Sequence, residues 1–219
     1  MGEGASGGND RNGVWGIVVA AGRGDRFGQP KQFCDLAGSR VVNRSVSAAL
    51  GACDAVVVVL PPGVEWDGPR VAAAAVGGST RSESVRAGLT LVPDDCEVVV
   101  VHDAARPMAT AELFAAVIDA VRDGADAAVP AIPVADTIKR VDGYRVVETV
   151  ARESLVAAQT PQAFRASVLR DAHASGSDAS DDAALVELAG GRVVIVPGHP
   201  DNLKITTPAD LRVAAALLS

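Results

Sequence analysis

Three basic residues lie close together in a glycine-containing segment near the start of the chain. The segment reads VVAAGRGDRFGQPKQ over residues 18–32, and its cations are Arg23, Arg26 and Lys31. They stand out because the chain as a whole is acidic, with a formal net charge of -7. Clustered cations of this kind can surround an anion such as a phosphate group.

The same segment also has the backbone of an anion site. An apolar run over residues 14–20 begins it and is typical of a buried strand. Gly22 and Gly24 have no side chains, so backbone N–H groups can approach an anion closely. A strand, a loop of small residues and fixed cations together predict a nucleotide triphosphate site.

Neither of the two common nucleotide-binding fingerprints fits this loop. The dinucleotide pattern G-x-G-x-x-G needs glycine where Phe27 stands, because a closely packed helix would not accept that side chain. The P-loop needs Ser or Thr after its lysine to reach magnesium, but Gln32 follows Lys31. A plain turn between a strand and a helix would explain the glycines but not the cations.

Composition restricts the class of protein. The 219 residues are 48% hydrophobic, enough for one sizeable core, and only 3% aromatic. The acidic balance argues against nucleic-acid binding, and the scarcity of aromatic side chains argues against stacking on single-stranded bases. No apolar run approaches the roughly 20 residues of a membrane span, so we expect no membrane partner.

The cysteines and the first residues indicate a cytoplasmic location. Cys34, Cys53 and Cys96 are odd in number, far apart and without C-x-x-C spacing, which disfavours a disulfide framework or a zinc site. Residues 1–13 are polar and glycine-rich and lack the apolar core of a signal peptide. We expect a disordered tail there, followed by a single domain over residues 14–219.

Valine-rich apolar runs alternate with amphipathic helical patterns along the rest of the chain. The helix after Ser39, for example, should bury Val42, Val46 and Ala49 on one face. This alternation predicts an α/β fold with a doubly wound, mainly parallel sheet, whose ligands bind beyond the carboxyl ends of the strands. The predicted strands cover residues 14–20, 55–60, 97–101, 127–130 and 192–196, and the predicted helix starts lie at Ser39, Thr80, Thr110, Ser180 and Thr207.

One stretch, residues 136–159, breaks the alternation. Asp142-Gly143 is a hairpin turn signal between flanks rich in β-branched residues. An isolated hairpin is only marginally stable, so we expect an arm that buries Val146, Val147 and Val150 against a second subunit. A surface hairpin without a partner would have the same sequence pattern.

Several further polar residues are not required by a plain α/β core. Asp103 follows a buried strand and could supply one of the one or two carboxylates that magnesium usually takes. Arg152 and Thr160 are candidates for phosphate contacts. Lys204, between two apolar residues, extends either to solvent or to a phosphate, and Asp201 lies close enough in sequence to share that phosphate site.

Two other segments have weaker signals. Residues 77–89, GGSTRSESVRAGL, place two glycines and several hydroxyls before a helix start, where backbone N–H groups can donate to an anion or a base. Ordinary helix capping explains the same pattern. His102 is predicted to pack or cap instead of binding metal, because no second His or Cys lies at ligand spacing.

Taken in order, the segments closely resemble one known family. The succession AAGRGDR, PKQ, GGSTRSESV, VHDAARP, DTIKR, QTPQ and DNLKIT is similar to that of 2-C-methyl-D-erythritol 4-phosphate cytidylyltransferases. The resemblance runs from about residue 14 to the end of the chain. It implies a nucleotidyltransferase fold, CTP and magnesium as ligands, a β-arm that builds a homodimer, and a step in non-mevalonate isoprenoid precursor synthesis.

The resemblance also implies a role for each matching residue. The backbone of the first loop would wrap CTP, and the segment at residues 77–85 would hold cytosine and ribose. The implied nucleotide-binding residues are Ala20, Ala21, Gly22, Gly24, Gly78 and Ser84; the catalytic ones are Arg26, Lys31, Arg152 and Lys204; the substrate-binding ones are Asp103, Arg106, Thr137 and Thr160; and the metal ligand is Asp103. We add Asp201 as a second candidate metal ligand because it lies near Lys204 in sequence.

The chain departs from the family's usual pattern at a few positions. Val19 stands where the family usually has proline, and the loop between Arg26 and Lys31 is short. Residues 61–69 leave little room for the usual helix after the second strand. A Thr-Asp-Glu segment becomes Ser-Asp-Asp at residues 180–182, which keeps a hydroxyl and two acids.

The expected chemistry agrees with this residue set. A sugar phosphate is largely dianionic at neutral pH, so its oxygen can attack the α-phosphorus of CTP without a strong general base. Cytidylyl transfer to another polyol phosphate, such as ribitol 5-phosphate, remains an alternative. A catalytically silent nucleotide-binding protein is a second alternative, although it would be expected to have lost Arg26, Lys31 or Lys204.

Overall fold

The computed structural model describes residues 13–22, 24, 27–174, 176–179 and 181–218. The predicted disordered tail lies outside these ranges except for Gly13, and so do Arg23, Arg26 and Ser180. Within the described part of the chain, the strands are β1 (Val14–Val19), β2 (Asp35–Leu36), β3 (Ser39–Arg40), β4 (Ala55–Leu60), β5 (Ala73–Val76), β6 (Val98–Asp103), β7 (Ala127–Pro133), β8 (Ile138–Asp142), β9 (Arg145–Val150), β10 (Val156–Ala158), β11 (Gln162–Arg165) and β12 (Val193–Pro197). The α-helices are α1 (Val41–Leu50), α2 (Arg81–Leu89), α3 (Ala111–Arg122), α4 (Ala166–Ala174), α5 (Asp182–Leu188) and α6 (Pro208–Leu217).

Eight of the strands form one mainly parallel sheet, as the sequence predicts. β1 lies between β4 and β6 and pairs with both in parallel, and β5 continues the parallel order beyond β4. At the other end, β12 pairs in parallel with β7. The short strands β10 and β11, which the sequence pattern did not reveal, pair antiparallel with β7, and β11 also joins it to β6.

Helices cover both faces of the sheet, so the doubly wound prediction is confirmed. α1 and α3 pack on one face, while α2, α4 and α5 pack on the other. Every residue of β6 is buried, which explains why its first four residues, all valine, form an apolar run without alternation. The core is almost entirely aliphatic, and Phe114 and Phe164 are its largest fully buried side chains.

The helix starts were mostly predictable from their caps. The Thr110 side chain accepts the N–H of Leu113 at the start of α3, and Thr80 and Thr207 each form a capping box. The prediction of Ser39 as the cap of α1 is wrong. Ser39 instead pairs with Leu36 in the β2–β3 hairpin, so α1 begins at Val41. The predicted buried face of α1 is nevertheless present.

The predicted hairpin is formed by β8 and β9. These two strands form a sheet of their own, and an ion pair joins the Arg140 Nε and Glu148 Oε2 atoms at 2.7 Å. Val146 and Val147 are 55% and 50% exposed, and Tyr144 at the tip is fully exposed. The hairpin therefore presents unburied apolar side chains in the single chain.

None of the described helices is long and apolar enough to cross a membrane.

Candidate active site

A cavity of about 510 Å³ opens beyond the carboxyl ends of β1 and β6. This is the edge of the sheet at which the sequence predicts a ligand. The first loop, the start of α2, the end of β6 and the segment before α6 all contribute to its wall. Its polar or backbone-lining residues include Ala20, Ala21, Gly22, Gly24, Lys31, Gln32, Gly78, Thr80, Arg81, Ser84, Asp103 and Lys204.

Asp103 lies at the centre of this arrangement, because β6 ends at this residue. Its Oδ2 atom is 2.6 Å from the Lys204 Nζ atom, and its Oδ1 atom is 3.3 Å from the Arg81 Nε atom. Burial opposes ionisation of Asp103, but the charges of Arg81 and Lys204 outweigh it and hold the pKa of this carboxyl well below its usual range. Asp103 is therefore a carboxylate at any physiological pH.

The backbone behind Asp103 is held by a buried hydrogen-bond chain. The N–H of Asp103 donates to Thr160 Oγ1 at 3.0 Å, and this hydroxyl lies 3.1 Å from His102 Nδ1. His102 Nε2 lies 3.1 Å from the Arg106 carbonyl oxygen. Since a carbonyl can only accept, we assign the ring proton to Nε2, and Thr160 then donates to Nδ1.

Both ring nitrogens of His102 therefore have hydrogen-bond partners inside the protein. Burial lowers its pKa from the ordinary 6.5 to about 4, so the ring is neutral at pH 7. The ring also packs against Phe114, with their centroids 5.2 Å apart. This agrees with the packing role predicted from the sequence.

Hydrogen bonds from the Gln32 side chain hold the first loop in place. Its Nε2 group donates to the carbonyl oxygens of Ala20 and Gly22, both at 2.8 Å, and its side chain is 3% exposed. It belongs to the same short 3-10 helix, Lys31–Phe33, that brings Lys31 to the cavity. One buried amide thus ties the lysine to the end of β1.

Two glycines in the wall are required by their surroundings. Gly24 has a φ of +74°, and a Cβ atom there would collide with the Gln29 carbonyl oxygen. Gly78 has no room for a side chain because Glu83 folds back over it. The Glu83 carboxylate accepts the N–H of Ser79 at 2.6 Å, so the start of α2 already holds an anion of the protein itself.

The segment that contains Lys204 is held by amide contacts. Asn202 Nδ2 donates to the Thr160 carbonyl at 2.9 Å, and an Arg106 amino group donates to the Asn202 carbonyl at 2.7 Å. The N–H of Ile205 donates to the Ala105 carbonyl at 2.8 Å. These bonds fix the backbone on both sides of Lys204, directing its side chain to Asp103.

The structure brings most of the predicted site residues to one place. Nine of them line the cavity: Ala20, Ala21, Gly22, Gly24, Lys31, Gly78, Ser84, Asp103 and Lys204. Thr160 and Arg106 lie directly behind the wall, where they bind its backbone.

Three predicted residues, Thr137, Arg152 and Asp201, lie away from the cavity wall. Thr137 and Arg152 are exposed at the base of the hairpin, where Arg152 donates to the Ala135 carbonyl. Asp201 is exposed and faces His199 on its own turn, with Oδ2 and Nδ1 3.7 Å apart. Arg26 lies outside the described residues.

Sequence reasoning missed Gln32 and Arg81, both of which line the cavity. In the sequence, Gln32 stands out only as a mismatch to the P-loop pattern. Its hydrogen bonds could not be predicted, because they depend on a loop that folds back on the end of β1. Arg81 is part of the motif at residues 77–89, but helix capping explained that motif without it. Its partners Asp103 and Asp182 lie 22 and 101 residues away, so no local pattern could reveal them.

Comparison with known proteins assigns the chain to a family. The family model of 2-C-methyl-D-erythritol 4-phosphate cytidylyltransferase, IspD, matches residues 14–219. The chain belongs to this family. The family's model thus covers every element that builds the cavity described above.

Individual members of the cytidylyltransferase family are similar to this chain over most of its length. The 2-C-methyl-D-erythritol 4-phosphate cytidylyltransferase of Rhodococcus jostii is 45% identical, with 94% of this chain and 95% of that protein aligned. The bifunctional enzyme IspD/IspF of Anaeromyxobacter dehalogenans is 48% identical over 94% of this chain, which spans 57% of that longer protein. The crystal structure of the cytidylyltransferase from Thermus thermophilus superposes with a TM-score of 0.81 at 36% identity, covering 92% of this chain and 97% of that one.

The buried state of His102 predicts how stability depends on pH. The unfolded chain takes up a proton near pH 6.5, whereas the folded chain holds His102 neutral down to about pH 4, so acid favours unfolding. Between pH 7 and pH 4, the wild-type free energy of unfolding should fall by roughly 3 kcal/mol more than that of His102→Asn. Urea unfolding of both proteins at a series of pH values measures this difference. Parallel pH profiles would contradict the burial of a neutral imidazole.

Proposed function

We propose that this chain joins CTP and 2-C-methyl-D-erythritol 4-phosphate to give 4-diphosphocytidyl-2-C-methyl-D-erythritol and pyrophosphate. This step belongs to non-mevalonate isoprenoid precursor synthesis, and residues 14–219 would act as one nucleotidyltransferase domain. Beside family membership, one observation carries the proposal. A glycine loop and the side chains of Lys31, Lys204 and Asp103 all face a single cavity beyond the carboxyl ends of the strands.

The reaction needs alignment of two anions more than it needs a base. A phosphate oxygen of the sugar phosphate would attack the α-phosphorus of CTP, and the bond to the bridging oxygen would break to release pyrophosphate. The attacking group is already largely dianionic at neutral pH. Both ring nitrogens of His102 are engaged inside the fold, so this histidine is not available as a base.

Positive charge around the transferring group would then provide the catalysis. Lys31 and Lys204 approach the cavity from two different parts of the chain, so they can contact different phosphates. Arg26 and Arg152 are the other proposed catalytic cations. The backbone of Ala20, Gly22 and their neighbours would hold the CTP phosphates.

The base and ribose of CTP would lie against the start of α2. The Glu83 carboxylate already accepts the N–H groups of Ser79 and Thr80 at this helix start. The helix start is therefore a poor phosphate site. Gly78 and Ser84 remain in the cavity wall beside it. This geometry supports the division in which α2 takes the nucleoside and the first loop takes the phosphates.

A divalent cation such as magnesium fits this site if the substrates supply most of its ligands. Among the residues that the structure describes, Asp103 is the one acid in the cavity wall, and no group of three or more metal-binding side chains is found. Magnesium is commonly held by one or two carboxylates together with phosphates and water. Asp103 would supply a carboxylate oxygen, the cation would offset phosphate charge, and Asp201 remains a proposed second ligand.

We also propose that two copies of the chain pair through the β8–β9 hairpin. Its valines are half exposed in the single chain, although β-branched apolar side chains gain stability only when buried. Thr137 and Arg152 lie at the base of the same hairpin, away from the chain's own described cavity wall. In such a homodimer these two residues could reach the cavity of the partner chain.

A pyrophosphate-release assay tests the proposed function. Purified protein with CTP and magnesium would be offered 2-C-methyl-D-erythritol 4-phosphate, ribitol 5-phosphate and glycerol phosphate in separate reactions. We expect release with the first substrate at a rate far above the other two. Release with ribitol 5-phosphate alone would replace the proposed substrate, and release with none would favour a silent nucleotide-binding protein.

Lys31→Ala should lower turnover by about a hundredfold, because one preorganised contact to the developing charge is typically worth roughly 3 kcal/mol. The same assay measures the loss, and circular dichroism checks that the fold is intact. Arg212→Ala is the control, since Arg212 is an exposed cation on α6 that bonds only within its own helix, to the Pro208 carbonyl, among the contacts described. Near-normal turnover of Lys31→Ala would contradict a catalytic role for Lys31.

Val146→Asp should shift the protein from dimer to monomer, because it places a charge in the proposed apolar interface. We expect turnover to fall at least about tenfold, as the partner's Arg152 would be lost from the cavity. Light scattering after size exclusion measures the mass. Val213→Asp is the control, because Val213 is similarly exposed, at 53%, on α6. A variant that remains dimeric, or a wild type that is monomeric, would rule out this interface.

A further inference from the structure

Arg81 bridges two carboxylates that come from distant parts of the chain. It is the first residue of α2, and its Nε atom donates to Asp103 Oδ1 at 3.3 Å. Its NH1 group donates to Asp182 Oδ2 at 2.6 Å. The orientation of the Arg81 guanidinium, and with it one side of the Asp103 carboxylate, therefore depends on Asp182.

Asp182 is well suited to fix that orientation. Its side chain is 0% exposed, and its second oxygen, Oδ1, lies 2.9 Å from the Nε2 atom of His173 in the last turn of α4. Capping of α5 does not require it, because the Asp181 side chain accepts the N–H of Ala184 and performs that role. The carboxylate is thus held from behind and directed at Arg81.

Stability alone is a weak explanation for this buried acid. Removing a carboxylate from water is costly, and a well-packed apolar side chain in place of a buried ion pair often gives equal or greater stability. What a buried, doubly bonded carboxylate does provide is a fixed position for its partner. Here the partner is a cavity residue, and the α4–α5 segment is also joined to the start of α2 by the Thr80–Asp178 hydrogen bond of 2.8 Å.

We propose that Asp182 is a positioning residue for cytidylyl transfer, which holds Arg81 so that the Asp103 carboxylate keeps the orientation needed for the reacting groups. The inference rests on the proposed function. Asp182 touches neither substrate; it acts through Arg81. His173 supports it by binding the oxygen that Arg81 does not use.

Asp182→Asn tests this with little change of shape. The amide oxygen can still accept from Arg81, and the amide nitrogen can donate to His173 Nε2 once the ring proton moves to Nδ1. Only the charge is lost, so Arg81 is drawn towards Asp103 alone. With CTP and 2-C-methyl-D-erythritol 4-phosphate, kcat should fall by about tenfold or more, while KM for CTP changes by less than about threefold.

Asp126→Asn is the matched control. Like Asp182, Asp126 faces an arginine, with its Oδ1 atom 3.5 Å from Arg165 Nε, and its other oxygen accepts the backbone N–H of Arg192 at 2.8 Å. It precedes β7, at the opposite end of that strand from the cavity edge. Its kcat should stay within about twofold of wild type. Should Asp182→Asn not fold, Arg81→Lys replaces it, because one ammonium group cannot bridge both carboxylates and should give the same loss of kcat.

A double-mutant cycle with Arg81→Met decides whether Asp182 acts through Arg81. In the Arg81→Met background, Asp182→Asn should cause no further loss of kcat. The proposal is overturned if the two losses multiply, or if Asp182→Asn lowers the melting temperature with kcat and KM unchanged. A wild-type chain that releases no pyrophosphate overturns the proposed function and this inference with it, whereas an active wild type with a fully active Asp182→Asn variant overturns this inference alone.

Discussion

The carboxylate of Asp103, held between Arg81 and Lys204, is the interaction on which the cavity depends. It joins the end of β6 to the start of α2 and to the segment before α6, three parts of the chain that are distant in sequence. Asp103 and Arg81 are largely buried, so removing one of them would leave the other charge poorly compensated, whereas Lys204 is 42% exposed and partly screened by solvent. Each of the three elements is therefore restrained by the other two, and the cations acquire fixed positions.

Fixed cations are what this chemistry demands. Two anionic substrates repel each other, so the protein must compensate their charge before they can react. The structure places Lys31 and Lys204 in the cavity wall, while His102, beside Asp103, is neutral, buried and bonded on both ring nitrogens. An acidic protein with scattered cations can thus build a cavity wall with more basic than acidic side chains, because the fold and not the composition brings Lys31 and Lys204 to the same cavity.

Much of the fold was predictable because its signals are local. The valine runs of β4 and β6 and the threonine caps of α2, α3 and α6 lie within a few residues of the elements they specify. Ser39 was mistaken for a cap because a two-residue strand pairing took it first. The antiparallel strands β10 and β11 were not predicted, since they are too short for a periodic pattern and their pairing is set by β6 and β7.

The site was predictable where backbone conformation or a recognisable motif marked it. Gly24, Gly78, Asp103 and Lys204 belong to this group. Gln32 and Arg81 were not predictable, because each works through atoms that only the folded chain brings near it. Thr137 and Arg152 carry roles implied by the family, but a single chain leaves them at the exposed base of the hairpin.

The most direct test of this account is the turnover of Asp103→Asn with CTP and 2-C-methyl-D-erythritol 4-phosphate. Asparagine keeps the shape of the side chain but removes the charge that orients Arg81 and Lys204. We expect turnover to fall by about a hundredfold or more in a protein that still unfolds cooperatively. Turnover within about threefold of wild type would contradict the central role of this carboxylate.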